Sequence, residues 1–358
     1  MLIEIDDSIV SEAENGNTEA VDILRDLIIS YSHGIHFVYA NSHLLNRIIA
    51  LKKLGDVEKM MYIKLKGKLK IIVGIRNIVV VKCILTYNET SRAEEGCIYI
   101  NPADFKEFCL FEKTVLIGEN LNDCKVFRHI SDKYLCCHKL WGANCIFFEM
   151  NGGGATTVDE YENQINNCTN FCLCIIDSDK KFPSDEIGGT AVEVKNKHTE
   201  IQPPHCDYYI MEDVSEVENL LPHEMVKKVT AINSNLLYLL RLDIAFLDMK
   251  KGIVKGVLQN TLAKDYYCDL LSGHQQELDE INACYDDVSQ RNLNKQEKKE
   301  CIVPGFGTNL LKDVLGLSWD EIDWKKLKLT DSQVYEWEEI GKRVFSWTCA
   351  PKRNRTCS

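Results

Sequence analysis

The stretch Phe171-Cys172-Leu173-Cys174-Ile175-Ile176-Asp177-Ser178-Asp179-Lys180-Lys181 is a run of six apolar residues ending in two carboxylates one residue apart. Bounded by Asn170 and the Asp-Ser-Asp cluster, it predicts a strand buried on both faces, as in a parallel sheet. Open α/β sheets hold their chemistry where such strands end. Residues i and i+2 of a strand point to one side, so Asp177 and Asp179 converge if extended geometry persists past Ile176. Two carboxylates about 4 Å apart repel by roughly 4 kcal/mol at an effective dielectric near 20, which a bound Mg²⁺ reverses.

Upstream, strand and helix signals alternate. Ile98-Tyr99-Ile100 is followed by Asn101-Pro102-Ala103-Asp104, a helix start with proline near its first turn. Thr114-Val115-Leu116-Ile117-Gly118 reads as a short buried strand running into Glu119, with a helix to about Leu135 behind it. Ala143 to Met150 reads as the next strand, Asn151-Gly152-Gly153-Gly154-Ala155-Thr156-Thr157 as a turn, and Val158 to Asn167 as a helix. Such alternation predicts an α/β fold built on a parallel sheet with helical crossovers. It spans residues 98–221, and its three strands end in Glu119, the triple glycine, and Asp177 with Asp179.

That order resembles the Toprim fold, the metal-dependent module of topoisomerases, bacterial primases and nucleases of the OLD type. In that family a glutamate follows the first strand, a glycine turn the second and an Asp-x-Asp the third. The matching residues are Glu119, Gly152 to Gly154, and Asp177 with Asp179; Gly118 precedes the glutamate where the family commonly has a glycine after it. Tyr208-Tyr209-Ile210-Met211-Glu212-Asp213-Val214-Ser215-Glu216-Val217-Glu218-Asn219-Leu220-Leu221-Pro222 resembles the later acidic element of OLD-type and related standalone Toprim nucleases. The resemblance implies Mg²⁺ or Mn²⁺ held by Glu119, Asp177 and Asp179, with Asp123, Glu216 or Glu218 supplying a second site. It further implies hydrolysis of DNA or RNA phosphodiesters, DNA being favoured, and a role as an anti-phage defence effector. Lys250, just after the apolar run Ile244 to Leu247, is the first choice for a catalytic contact to the scissile phosphate, ahead of Lys180 and Lys181.

Taken singly, each element also reads as structure. Acids at strand ends cap the next helix, and the triple glycine, lacking a Gly-Lys-Ser/Thr continuation, is no P-loop. A non-catalytic regulatory or scaffolding protein with a degenerate Toprim fold is the alternative. A nucleotide-binding enzyme using the glycine turn as a phosphate cradle is a third reading.

The flanks carry less chemistry. Residues 1–97 read as an α+β accessory region, with helices near 18–29 and 42–54 and β-rich runs at Leu69 to Val73 and Ile78 to Leu85. Residues 222–358 read as mainly helical, with helices over Val226 to Leu242, Gln275 to Lys299 and Ser332 to Phe345. Trp319, Trp324, Trp337 and Trp347 are expected to fill a small helical core, with base stacking by one of them as the other use, since a basic tail follows Trp347. The 16 cysteines include no Cys-x-x-Cys pair. Cys136-Cys137-His138 with Cys145 has the wrong spacing for zinc, so the thiols read as reduced core residues.

A net charge of −12 excludes a uniformly basic nucleic-acid surface. Phosphate contacts then need local patches, and Lys52-Lys53, Lys64 to Lys70, Lys250-Lys251 with Lys255, Lys325-Lys326 with Lys328, and Lys352-Arg353-Asn354-Arg355 supply them. No run matches a membrane span and the acidic start lacks a secretory pattern, so a cytoplasmic protein without membrane partners is expected. A protein regulator or homo-oligomer is the other partner class.

Overall fold

The computed structural model describes residues 1–104, 110, 112–167, 169–230, 234–319 and 321–353. The chain forms two compact units, one from Met1–Ile175, Glu193–Tyr209 and Glu339–Ser358, the other from Ile176–Val192 and Ile210–Glu338. This division differs from the expected segments 1–97, 98–221 and 222–358 because the chain passes between the units more than once.

The first unit contains two sheets. In one, β1 (Leu2–Ile5), β2 (Phe37–Tyr39), β3 (Lys82–Leu85), β4 (Arg92–Glu94) and β5 (Cys97–Ile100) take the order β2-β1-β3-β5-β4. All pairs are parallel except β4 with β5. Ile98-Tyr99-Ile100 therefore belongs here, with Cys83 opposite Ile98, and does not open the second sheet. Leu69 to Val73 is also not a strand. It begins the helix Leu69–Arg76, whose Ile72 and Ile75 are buried while Ile71 and Val73 are exposed. That three-residue spacing is a helical face, which a short, mostly apolar run does not reveal.

The second sheet has the order β10-β9-β6-β8. Its strands are β6 (Thr114–Gly118), β8 (Phe147–Asn151), β9 (Cys172–Asp177) and β10 (Cys206–Met211), and a short β7 (Ala143–Cys145) lies outside it. β6 is parallel to β8 and to β9. The helices Leu121–Cys137, Thr157–Asn167 and Gly189–Ile201 make the crossovers. The chain is thus α/β with a mostly parallel sheet, as the alternation predicts. Residues Cys172 to Ile176 are all at most 1% exposed, which explains why β9 is apolar on both faces.

The expected strand from Ala143 to Met150 is split. β7 pairs antiparallel with Cys349–Pro351 near the C-terminus, and the Ile146 amide donates to Thr348 O. Only β8 joins the parallel sheet. The end of the helix Asp331–Thr348 also belongs to this unit, where Thr114 Oγ1 donates to Trp347 O at 2.6 Å.

The second unit is less helical than expected. Val226 to Leu242 is not one helix: His223–Val229 is α-helical, followed by 3₁₀ turns at Ser234–Leu236 and Leu239–Arg241, and residues 231–233 lie outside the described residues. Gln275–Val288 is helical, and a hairpin pairs β11 (Gly252–Val254) with β12 (Cys301–Pro304). Trp319 and Trp324 tilt against one another and Trp337 is buried in this unit, but Trp347 packs against Phe171 in the first. The four indoles therefore do not share one helical core.

Candidate catalytic edge

In the first unit the parallel register sets Gly118 opposite Asn151 and Ile117 opposite Cys174. Within this unit β6 and β8 therefore end side by side, and β9 runs parallel to β6 as far as Cys174. Glu119 follows β6 directly. The amide of Gly152 donates to Gly118 O at 2.8 Å, and those of Gly153 and Gly154 donate to Glu119 O at 2.8 and 3.0 Å. A Cβ on Gly152 would overlap Thr157 Oγ1 and lie 2.9 Å from Gly118 O, while Gly153 and Gly154 have φ of +79° and +67°. Glycine is required here by close approach at the first position and by left-handed backbone at the other two.

This turn clamps the backbone of Glu119. It is no phosphate cradle, because a cradle needs the amides that are donating to Gly118 and Glu119. The Glu119 carboxylate reaches the buried interior of the sheet electrostatically. Burial raises the Cys174 thiol well above its ordinary range, Cys172 adds to the lift, and Glu119 adds after it.

Asp123 begins the helix Leu121–Cys137. Its Oδ2 accepts from the Asn120 amide and its Oδ1 from Asn120 Nδ2, both at 2.8 Å, and Asn120 Oδ1 accepts in turn from the Asn122 amide. This is a capping box. Both oxygens of the buried Asp123 are engaged in it, so the capping use accounts for an acid that the resemblance assigns to metal.

In the second unit, β9 ends at Asp177, whose Oδ1 accepts from the Val217 amide at 3.0 Å. The Asp179 amide donates to Ser215 O at 2.9 Å, and Ser178 Oγ donates to Val214 O at 2.6 Å. These three bonds tie the Asp-Ser-Asp turn to the segment that carries Glu216 and Glu218. Asp179 has φ +57°, so extended geometry stops at Asp177. The strand alternation that would aim both carboxylates to one side ends there. Aspartate tolerates the left-handed region better than most residues, and a Cβ on Gly188 would overlap the Asp179 carboxylate.

Glu216 and Glu218 are both buried. Lys250 Nζ lies 2.7 Å from Glu216 Oε2 and 3.2 Å from Glu218 Oε1, and Lys181 Nζ lies 3.9 Å from Glu216 Oε1. Burial raises the pKa of Glu218, with Lys250 pulling the other way. For Lys250 burial opposes the charge, but the carboxylates of Glu218 and Glu216 outweigh it and the pKa rises. An ammonium thus stands where the resemblance places a second metal, and Lys250 is an internal counter-ion in this arrangement. Lys180 pairs with Glu212 at 3.3 Å.

The segment that holds these acids is fixed by amides the sequence reading passed over. The buried Asn219 accepts from the Glu216 amide and donates to Ile244 O and Leu247 O. Gln333 Nε2 donates to Asn219 O and Leu221 O, and Trp337 Nε1 to Leu220 O. Only Asn219 left a trace in the sequence, inside the Glu-Asn-Leu-Leu stretch; Gly188, Ser178 and Gln333 act through contacts that have no local pattern. Beside Lys181 a cleft of about 270 Å³ is lined by Lys181, Lys251, Lys299 and Asp248 over Val254, Val257 and Tyr267.

Among the described residues, no group of three or more His, Cys, Asp or Glu side chains is arranged to hold a metal ion. That includes Cys136-Cys137-His138 with Cys145, where Cys137 is exposed and Cys145 buried. The donors at the turn after β9 are all carboxylate oxygens, which suit Mg²⁺ or Mn²⁺. Mg²⁺ is commonly held by one or two carboxylates, waters and substrate phosphates, without an all-protein cage. Asp177 and Asp179 offer the carboxylate chemistry that such an ion takes. Comparison of the chain with family models, with curated proteins and with solved structures finds no match.

Proposed function

We propose that this chain is a divalent-metal-dependent phosphodiester hydrolase acting on nucleic acid, with a Toprim-like arrangement of acidic strand ends. The observation that supports it most is the glycine turn after β8 closing on the backbone of Glu119. That turn couples the residue after β6 to the residue after β8, the relation that the ordered strand ends require. Asp177 and Asp179 would hold Mg²⁺ or Mn²⁺ together with the substrate phosphate, and Glu119 is the remaining acid of the set. Such an ion supplies charge neutralisation at the phosphate and an activated water. The chain's own part is to orient the acids: the Val217 amide fixes Asp177, and the Ser215 carbonyl fixes the backbone of Asp179. The lysine-lined cleft beside Lys181 offers room for a phosphodiester backbone.

A cleavage panel with Mg²⁺ and Mn²⁺ on supercoiled DNA, linear DNA, single strands and tRNA tests this reading. Glu119→Gln and Asp177→Asn should each abolish metal-dependent cleavage while the fold persists. Undiminished cleavage by both variants would sink it.

The non-catalytic alternative rests on specific observations as well. Asp123 is engaged by Asn120, and Lys250 neutralises Glu216 and Glu218. Calorimetry showing no uptake of Mn²⁺ would favour that reading.

A further inference from the structure

Two of the basic patches in the sequence, Lys64 to Lys70 and the tail beginning at Lys352, are separated by most of the chain yet meet in the first unit. Lys64, Lys68, Lys352 and Arg353 line a groove of about 640 Å³ together with Tyr31 and His33. Lys64 sits in the last turn of the helix Asp56–Gly67 and Lys68 is the residue that ends it, and both line the groove. Lys352 and Arg353 are seated against the first unit, and the rest of the tail lies outside the described residues. The Lys352 amide donates to Gly142 O at 2.9 Å, and a Cβ on Gly34 would come within 3.0 Å of Pro351 O and 3.2 Å of Arg353 Cγ.

The groove continues into an apolar extension of about 220 Å³ that shares Tyr31, Lys68 and Lys352 and adds Ile71 and Trp141. Trp141 is 62% exposed, unusually open for an indole, and Ile71 is 53% exposed. Among the described residues no carboxylate lines either part, although the chain has 54 acidic residues. The cations are not needed to cap the helix Thr18–Ser32 that ends here. Its terminal carbonyls accept from backbone amides: His33 to Ile29, Gly34 to Tyr31 and Ile35 to Ser30.

A row of cations beside an open aromatic face suits a ligand with phosphates on one side and flat apolar rings on the other. A duplex keeps its base faces inside the stack, and a sugar or phosphate polymer has none to offer. We propose that this groove binds single-stranded nucleic acid, with phosphates at Lys64, Lys68, Lys352 and Arg353 and a base stacked on Trp141. The stacking role expected of a tryptophan near the basic tail passes from Trp347, which is buried, to Trp141, which the sequence does not place near that tail. The proposal does not rest on the hydrolase reading.

Fluorescence anisotropy of labelled oligothymidylate and oligouridylate with the full chain in EDTA tests it, and the two oligomers distinguish DNA from RNA. Lys64→Ala combined with Lys68→Ala should weaken binding at least about tenfold at low salt and reduce the salt slope by about 1.4. Trp141→Ala should weaken it about 5- to 100-fold and Trp141→Phe far less, with heparin binding unchanged in both. All three substituted positions are exposed, and matching thermal melts confirm that the variants fold. Unchanged oligonucleotide affinity in the double lysine variant overturns the proposal. So does unchanged affinity in Trp141→Ala, which would leave a simple polyanion patch, or a blunt duplex binding as tightly as the single strand.

Discussion

Lys250 Nζ stands between two buried carboxylates, 2.7 Å from Glu216 Oε2 and 3.2 Å from Glu218 Oε1. One ammonium therefore compensates two charges that burial would otherwise disfavour. Removing one member of such a cluster exposes the cost of desolvating the others.

Lys250→Met is accordingly expected to destabilise the protein by about 2–4 kcal/mol near neutral pH. Glu218 already has a raised pKa, and losing Lys250 raises it further. A carboxyl whose folded pKa exceeds its unfolded value costs stability as pH rises through that interval. The penalty should therefore shrink as pH falls through the carboxylate range. Thermal melts of parent and variant between about pH 4 and 8 check this, and a penalty that grows on acidification would refute the counter-ion role.

The glycine turn yields a graded comparison. A Cβ on Gly152 meets Thr157 Oγ1 and the Gly118 carbonyl, whereas one on Gly154 meets nothing within 4 Å. Gly152→Ala should cost about 3 kcal/mol through overpacking against backbone, and Gly154→Ala about 1 kcal/mol through its left-handed φ alone. Adding Thr157→Ala should recover part of the first loss. Urea unfolding of the three variants decides, and equal costs at the two glycines would show that close approach is not what selects Gly152.

The central strands were legible because a parallel strand covered on both faces is written as an unbroken apolar run. Thr114 to Gly118 and Cys172 to Ile176 are such runs, and each stops at a polar residue. The same property misleads elsewhere. Leu69 to Val73 is apolar apart from Lys70, and only the burial of Ile72 and Ile75 on one side marks it as helix. Pairing is non-local, so Ile98 to Ile100 could be read as a strand without revealing that Cys83 is its neighbour. The acids at strand ends were visible as types, and the Asn120-x-x-Asp123 spacing carries a local capping pattern. Nothing near Glu216 in sequence announces that Lys250 reaches it. The meeting of Lys64 and Lys68 with Lys352 depends on the whole first unit folding.

Cysteine reactivity reports on the packing of the sheet. Cys172 and Cys174 are fully buried and burial raises both thiols well above the ordinary range, while burial pushes Cys124 and Cys145 up to about 12. Cys137 and Cys301 are exposed. A thiolate is the reactive form, so among the described cysteines alkylation of the native protein should label Cys137 and Cys301 first. Cys124, Cys145, Cys172 and Cys174 should stay silent even at about pH 9 and react only in denaturant. Peptide mass spectrometry identifies the sites, and native labelling of Cys172 or Cys174 would contradict a closed β9.

Four histidines predict the acid limit of stability. Burial is the leading cause that lowers the pKa of His36, His198, His205 and His223, furthest for His36. Three of them face carbonyl oxygens: His36 Nε2 lies 3.0 Å from Glu112 O, His205 Nε2 3.3 Å from Gln164 O, and His223 Nδ1 3.0 Å from Leu240 O. His198 Nδ1 lies 2.7 Å from the Tyr161 hydroxyl. An imidazole whose folded pKa lies below its unfolded value of about 6.5 is protonated first in the unfolded chain. The stability from keeping it neutral is therefore complete above about pH 6.5 and is lost as pH falls toward the lowered value. Each group contributes a slope of up to about 1.4 kcal/mol per pH unit, all in the same direction. The melting temperature should fall between about pH 7 and 5, before most carboxylates titrate, and His36→Gln should flatten that fall. A melting temperature constant across this interval would mean that the buried imidazoles already carry their protons in the fold.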